Sequence, residues 1–129
     1  MYLGAIAAMT LDASTGLVAT GAGTEVNLQK YFVNPGKRPM AARVIAMWSG
    51  SDSGTATFDY KLQESTTTVD SDFSDISGAS ITQVVADAAA NSVQTINFFT
   101  SKQYVRGYHT TTAGVWSLAS VLEAVKRDA

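Results

Sequence analysis

One run of residues constrains this chain more than any other. Between Ala56 and Gln63, the apolar side chains Ala56, Phe58, Tyr60 and Leu62 alternate without error with Thr57, Asp59, Lys61 and Gln63. Successive side chains of a strand point to opposite faces, so this run is a strand with one face in a core and the other in water. Such a strand needs a second apolar layer to cover it. The rest of the chain supplies candidates. Ala41 to Ser49 is apolar on both parities: Val44, Ala46 and Trp48 alternate with Ile45 and Met47. That pattern predicts a central strand buried on both faces. With Gly50–Gly54 between them, the two runs predict a β-hairpin.

Further extended segments follow at short intervals. Glu25 to Val33 predicts a strand, stopped by Asn34-Pro35-Gly36, where Pro-Gly is a turn signal. Ala79 to Val85, Val93 to Thr100 and Tyr104 to Thr111 read as three more. Ser65–Ser71 reads as loop, Phe73 and Ile76 sit in a short SDFSDIS segment closed by Gly78, and Ala86–Ala90 is too short to stand as a helix. The last segment, Val115 to Val125, fits two patterns. Val115, Leu118, Leu122 and Val125 have helical spacing, while Trp116, Leu118, Leu122 and Ala124 fit a strand interrupted by Ser120. Strand is favoured because turns precede it and no long amphipathic helix competes. The sum is seven or eight short strands at regular spacing, the signature of an all-β sandwich or barrel.

Organisation is simple. With 129 residues the chain has room for one domain. Residues 1–23 read as an N-terminal arm and link, and residues 24–129 as a single β-sandwich domain. The opening MYLGAIAAMTL is apolar, but no basic residue precedes it and the first is Lys30, so an arm or first strand fits better than a secretory leader. No segment approaches the length needed to span a bilayer as a helix.

Composition narrows the function classes. The chain has no cysteine and one histidine, His109. Thiolate metal sites and thiol nucleophiles are thereby excluded, and a Ser-His-Asp triad has one candidate base. A net charge of -2 and a sequence pI of about 5.1 argue against nucleic-acid binding through bulk charge. Asp70, Asp72 and Asp75 have the oxygen chemistry calcium prefers, but the EF-hand pattern fails, and turn-forming Asp and Ser side chains explain the stretch. Asp59 and Glu64 carry no sign of an acid/base pair, and GAGTE at 21–25 lacks the spacing of a phosphate loop. No catalytic group, metal or cofactor is expected. Two contact regions are. One is the N-terminal segment, with Tyr2, Leu3, Ile6 and Met9; the other is the 34–39 loop, with the adjacent basic pair Lys37 and Arg38.

The order of segments carries a resemblance. A buried strand (ARVIAMW) is followed by Lys61-Leu62-Gln63-Glu64-Ser65, then Phe73-Ser74-Asp75-Ile76, Lys102-Gln103-Tyr104-Val105-Arg106 and a final apolar strand ending Val-Lys-Arg. Over about residues 40–127 this resembles small decoration, or cement, proteins of tailed-phage heads. The loop at Thr66–Asp72 departs from the Asp-Gly type turn usual there. The resemblance implies a jelly-roll-like antiparallel β-sandwich on the outer surface of the virion. It also implies a major capsid protein as partner, a homodimer or homotrimer, and no active site. A tail or baseplate module, or a carbohydrate-binding sandwich, is the alternative.

Overall fold

Burial follows the alternation of the constraining run as far as Leu62: Ala56, Phe58 and Leu62 are 0% exposed and Tyr60 1%, while Thr57, Asp59 and Lys61 are partly open to solvent. Gln63, expected on the solvent face, is buried against Arg106. The computed structural model describes residues 5–17, 20–28, 40–50, 56–85, 91–112 and 116–126. These form β1 (Ala5–Leu17), β2 (Gly21–Ala22), β3 (Val26–Asn27), β4 (Met40–Gly50), β5 (Thr57–Ser65), β6 (Ser74–Ser80), β7 (Val84–Val85), β8 (Asn91–Thr100), β9 (Tyr104–Thr112) and β10 (Trp116–Lys126). A single 3-10 turn spans Asp70–Asp72.

Two antiparallel sheets face each other. The four-stranded sheet has the order β1-β10-β4-β8. The six-stranded sheet has the order β2-β9-β5-β6, with β3 also paired to β9 and β7 to β5. Since β2 and β3 share one neighbour, and β6 and β7 another, the strands fill eight positions. In chain order the two sheets run 1-8-3-6 and 2-7-4-5, a jelly-roll-like sandwich. Among the described strands the chain stays in one sheet from β2 to β3 and from β5 to β6 and β7; each of its other steps changes sheet.

The expected hairpin between the runs at 41–49 and 55–64 is therefore corrected. The first lies in β4 and the second in β5, on opposite sheets. Both strands turn an apolar face to the same core, and crossing between layers satisfies both. The final segment is the strand β10, and the serine that interrupted its apolar pattern, Ser120, is fully buried within it. Within the stretch assigned to arm and link, Ala5–Leu17 is β1, laddered along β10 from Ala5↔Lys126 to Leu17↔Trp116. Of the expected strand at 25–33, β3 and Leu28 are described; the remainder lies outside the described residues. The expected strand at 79–85 is shifted: β6 occupies Ser74–Ser80, and β7 resumes at Val84. Gly78, with φ 75, a conformation a side chain disfavours, lies inside β6, where the pairing with β5 shifts register.

Aromatic rings tie the two layers together. Phe58 of β5 lies 5.4 Å from Trp116 of β10 and 6.2 Å from Trp48 of β4, centroid to centroid. Leu62, Val105, Val44 and Leu122 complete the fully buried centre. Each such side chain contributes roughly 1.5–3 kcal/mol by leaving water.

Candidate binding surface

The outer faces of the two sheets differ in kind. On the six-stranded sheet the outward side chains around Lys61 are polar and paired to one another, and Val85, beside Thr57, is the exposed apolar exception at 45%. Lys61 Nζ donates to Asp75 at 2.8 Å and lies 5.2 Å from the Tyr108 ring centroid. Gln63 donates to the same carboxylate at 3.0 Å, and Gln83 donates to Asp59 at 2.8 Å. The segment after β5 folds back over this face. Arg106, buried in spite of its charge, is held by Gln63 at 2.9 Å and by Asp70, with its guanidinium 4.1 Å from the Phe73 ring.

The four-stranded sheet presents the opposite surface. Adjacent strands set Val121 beside Ile45, and Ile45 beside Thr95; one row on, Ala119 lies beside Met47, and Met47 beside Val93. Met47 is 45% exposed, Val93 55% and Phe99 69%. Ala119 is exposed, and Ile45 and Val121 are half-buried. One ion pair interrupts the patch: Arg43 Nε donates to Glu123 at 2.6 Å. Ser49 and Ser117 close the other end. An apolar centre with a polar rim is the anatomy of a protein interface, and bare apolar patches of this sort mark interaction sites.

The apolar double parity of residues 41–49 thus has two different causes. Val44, Ala46 and Trp48 fill the core, while Ile45 and Met47 face outward from a strand that is central in its own sheet. The expectation of burial on both faces is met on one face within this chain.

Between the layers lies a polar node that the sequence reading missed. A register shift in β1 between Thr10 and Asp12 turns both Leu11 and Asp12 inward. Tyr60 Oη donates to Asp12 Oδ2, and Ser120 Oγ lies 3.0 Å from the same phenol oxygen. Because the phenol proton goes to the carboxylate, the serine hydroxyl donates to the phenol. Burial raises the Asp12 pKa above its usual value, opposed by the Tyr60 hydrogen bond and by His109. Burial, together with the Asp12 charge and hydrogen bond, pushes the Tyr60 phenol far up, so it stays protonated. Gly107 makes room for the node: a Cβ there would overlap Tyr60 Oη and Asp12 Oδ2. No sequence signal joins positions 12, 60 and 120; their facing strands do.

The other sequence candidates separate. Asp70 binds Arg106, Asp72 accepts from Thr67 at 2.6 Å, and Asp75 accepts from Lys61 and Gln63. The last two partners hold the Asp75 carboxyl below its usual range. Among the described residues, no three His, Asp or Glu side chains gather as a metal site. Glu64 accepts from the Thr100 hydroxyl at 2.6 Å, away from the Gln83 that holds Asp59. His109 sits in β9 opposite Tyr60. Of the expected contact residues, Ile6 and Met9 fall in β1, across from Val125 and Leu122 of β10. Tyr2, Leu3, Lys37 and Arg38 lie outside the described residues. Among the described residues no helix is long and apolar enough to cross a membrane.

The sequence matches no family model and no curated protein. Solved structures with TM-scores above 0.5 share the fold. The viral capsid protein VP2 in the subviral particle of infectious bursal disease virus superposes with a TM-score of 0.55 at 10% identity, covering 95% of this chain and 32% of that one. The CBM22-1–GH10 modules of a Clostridium thermocellum endo-1,4-beta-D-xylanase, complexed with xylohexaose, give a TM-score of 0.51 at 12% identity, covering 96% of this chain and 26% of that one. A protein derived from the SPBc2 prophage, YomS, gives 0.46 at 13% identity, covering 96% and 97%. The chain spans about a third of the viral chain it matches.

Proposed function

We propose that this protein is a structural component of a phage virion that sits on the outer surface of the head and stabilises it by bridging capsid subunits. The role is adhesive rather than catalytic. The observation that carries the reading is the contrast between the two outer faces: one largely polar, with its charges paired within the chain, the other largely apolar, with Met47, Val93 and Phe99 exposed. A sandwich that has already closed its core leaves that second face for contact with protein. The resemblance of residues 40–127 to head-decoration proteins supports the same role. So, at the level of fold, does the likeness to VP2. On this reading the major capsid protein is met by the N-terminal segment, with Tyr2, Leu3, Ile6 and Met9, and by Lys37 and Arg38 on the 34–39 loop.

Co-sedimentation of the purified chain with undecorated heads tests the proposal. Saturable binding at the stoichiometry of the capsid lattice is expected, and no binding would overturn it. Charge reversal at Lys37 and Arg38, or Tyr2→Ala with Leu3→Ala, is expected to weaken binding at least about tenfold if these side chains anchor the contact.

A second reading, a tail, baseplate or carbohydrate-binding module, draws on one feature. Asp59, Lys61, Ser80, Tyr108 and Thr110 line a shallow depression on the six-stranded sheet. A sugar stacking on Tyr108 would have to displace Lys61 from that ring. Specific binding on a glycan array, with a few copies at the tail instead of many on the head, would favour this reading.

A further inference from the structure

We propose that the bare face of the four-stranded sheet is covered by a second copy of the same chain, stacked face to face about a two-fold axis parallel to the strands. The proposal rests on the structural reading above and adds what occupies the face. Three observations point to a copy of this chain in place of another partner.

The first is the position of the charges. In the order β1-β10-β4-β8, the midline of the sheet runs between β10 and β4. A two-fold axis laid along that midline exchanges the two strands and keeps each lateral row in place. It sets Arg43 of one copy opposite Glu123 of the other, and the reverse. The intrachain pair thus becomes a four-charge cluster with both signs matched. Any other rigid placement of a copy on this face loses that match.

The second is the pairing of the remaining rows. The same operation lays Ile45 on Val121, Met47 on Ala119, Val93 on Ala13 and Thr95 on Thr10, following the register of the three ladders. Bulky side chains meet small ones in the outer apolar row, as interdigitating layers need. Two stacked sheets sit about 10 Å apart with strands within about 30° of one another, and these short-reaching side chains fill that gap.

The third is area. Four strands at about 4.8 Å spacing, over the nine paired positions of β10 and β4 at about 3.4 Å each, give a face of roughly 590 Å². Two such faces remove roughly 1,200 Å² from water, above the size of about 1,000 Å² at which specific interfaces begin and at the low end of the usual range. The expected dimer is therefore real but not tight, and its dissociation is measurable.

Analytical ultracentrifugation of the full chain reads the outcome. The wild-type protein is expected to sediment at twice the 13.6 kDa chain mass at tens of micromolar and to dissociate on dilution. Met47→Glu is expected to weaken the dimer at least about tenfold by placing a charge in the apolar centre. The decisive experiment uses Arg43→Glu and Glu123→Arg. Each variant alone carries like charges on its face and is expected to be monomeric. Their mixture matches every charge across the interface and is expected to restore the dimer, which no intrachain pair can explain. Circular dichroism checks that each variant keeps its β spectrum, and the mixing result stands even if Met47→Glu does not fold. A wild-type monomer, or a mixture that stays monomeric, overturns the proposal. A monomer in which Met47→Glu abolishes head binding assigns the face to the capsid protein instead. A dimer that ignores heads leaves this inference intact and defeats the functional reading.

Discussion

At the scale of single residues, the Asp12–Tyr60–Ser120 node is where chemistry and stability are coupled. The three side chains come from β1, β5 and β10, so the node joins both sheets. Removing the phenol oxygen in Tyr60→Phe leaves a buried carboxyl and a buried hydroxyl each short of a partner. The expected loss is about 1–3 kcal/mol, read from urea unfolding at neutral pH. Gly107→Ala is expected to cost a similar amount, about 1–3 kcal/mol, because its methyl group has to displace Tyr60 Oη and the Asp12 carboxylate. The node also has a pH signature. Burial holds the Asp12 pKa above the ordinary 3.8, so the folded state binds this proton more readily than the unfolded chain does. Asp12 therefore adds stability at acid pH, fully present below the unfolded value and lost as pH rises through the folded one. Asp12→Asn removes that titration while keeping an oxygen that accepts from Tyr60. The stability of Asp12→Asn relative to wild type is expected to increase across the pH range above about 4, the ordinary carboxyl value. A difference that stays flat across that range would show that burial does not set the Asp12 titration.

At the scale of elements, the segment between β5 and β6 is pinned by one side chain. Arg106 reaches out from β9 to Asp70, Gln63 and the Phe73 ring, and the 3-10 turn at Asp70–Asp72 forms against it. The Asp72 and Phe73 amides donate to the carbonyls of Val69 and Asp70 at 3.0 and 3.3 Å. In Arg106→Met these two amides are expected to exchange about tenfold faster, since a hydrogen bond to a charged group is worth about 1.5 kcal/mol or more. Amides in the centre of β5 are expected to keep their rates, which separates a released loop from general unfolding. The same region shows what the sequence revealed and what it hid. The strand carrying Phe58, Tyr60 and Leu62 was legible because every second residue is apolar and one face meets water. Its neighbour β6 was not. Ile76 and Ala79 are three apart, because the irregular register around Gly78 breaks the period, and the rest of SDISGAS has the composition of a loop. Parity says which face of a strand is buried but not which sheet holds it, so β4 and β5 read as a hairpin although they lie in different layers. Parity also cannot tell an intrachain core from an interface, so Ile45 and Met47 read like core residues. Ser120 looked like an interruption because its partner, Tyr60, is distant in sequence.

At the scale of the whole molecule, the polar sheet, the bare sheet and the capsid-contact segments make different demands on the same body. If two copies stack through their four-stranded sheets, the particle that reaches the head carries two sets of Tyr2, Leu3, Lys37 and Arg38. Its second attachment is then intramolecular, and avidity exceeds the affinity of either site without new kinds of contact. A bridge of this sort stabilises the assembled head more than its separate subunits, because only there are both attachments made. The gain per site is RT ln(1 + [L]/Kd), about 2.7 kcal/mol when the free protein is at about 100 times its Kd. Heads titrated with the chain are therefore expected to disassemble at temperatures that rise with the logarithm of its free concentration. Isolated capsid protein, engaged by one attachment at a time, is expected to shift much less at the same concentration. The Met47→Glu monomer, with one attachment in place of two, is expected to need at least about tenfold more protein for the same shift. Equal shifts for heads and for isolated capsid protein would mean that the chain binds single subunits without linking them, and the bridging mechanism would fall while binding itself survived.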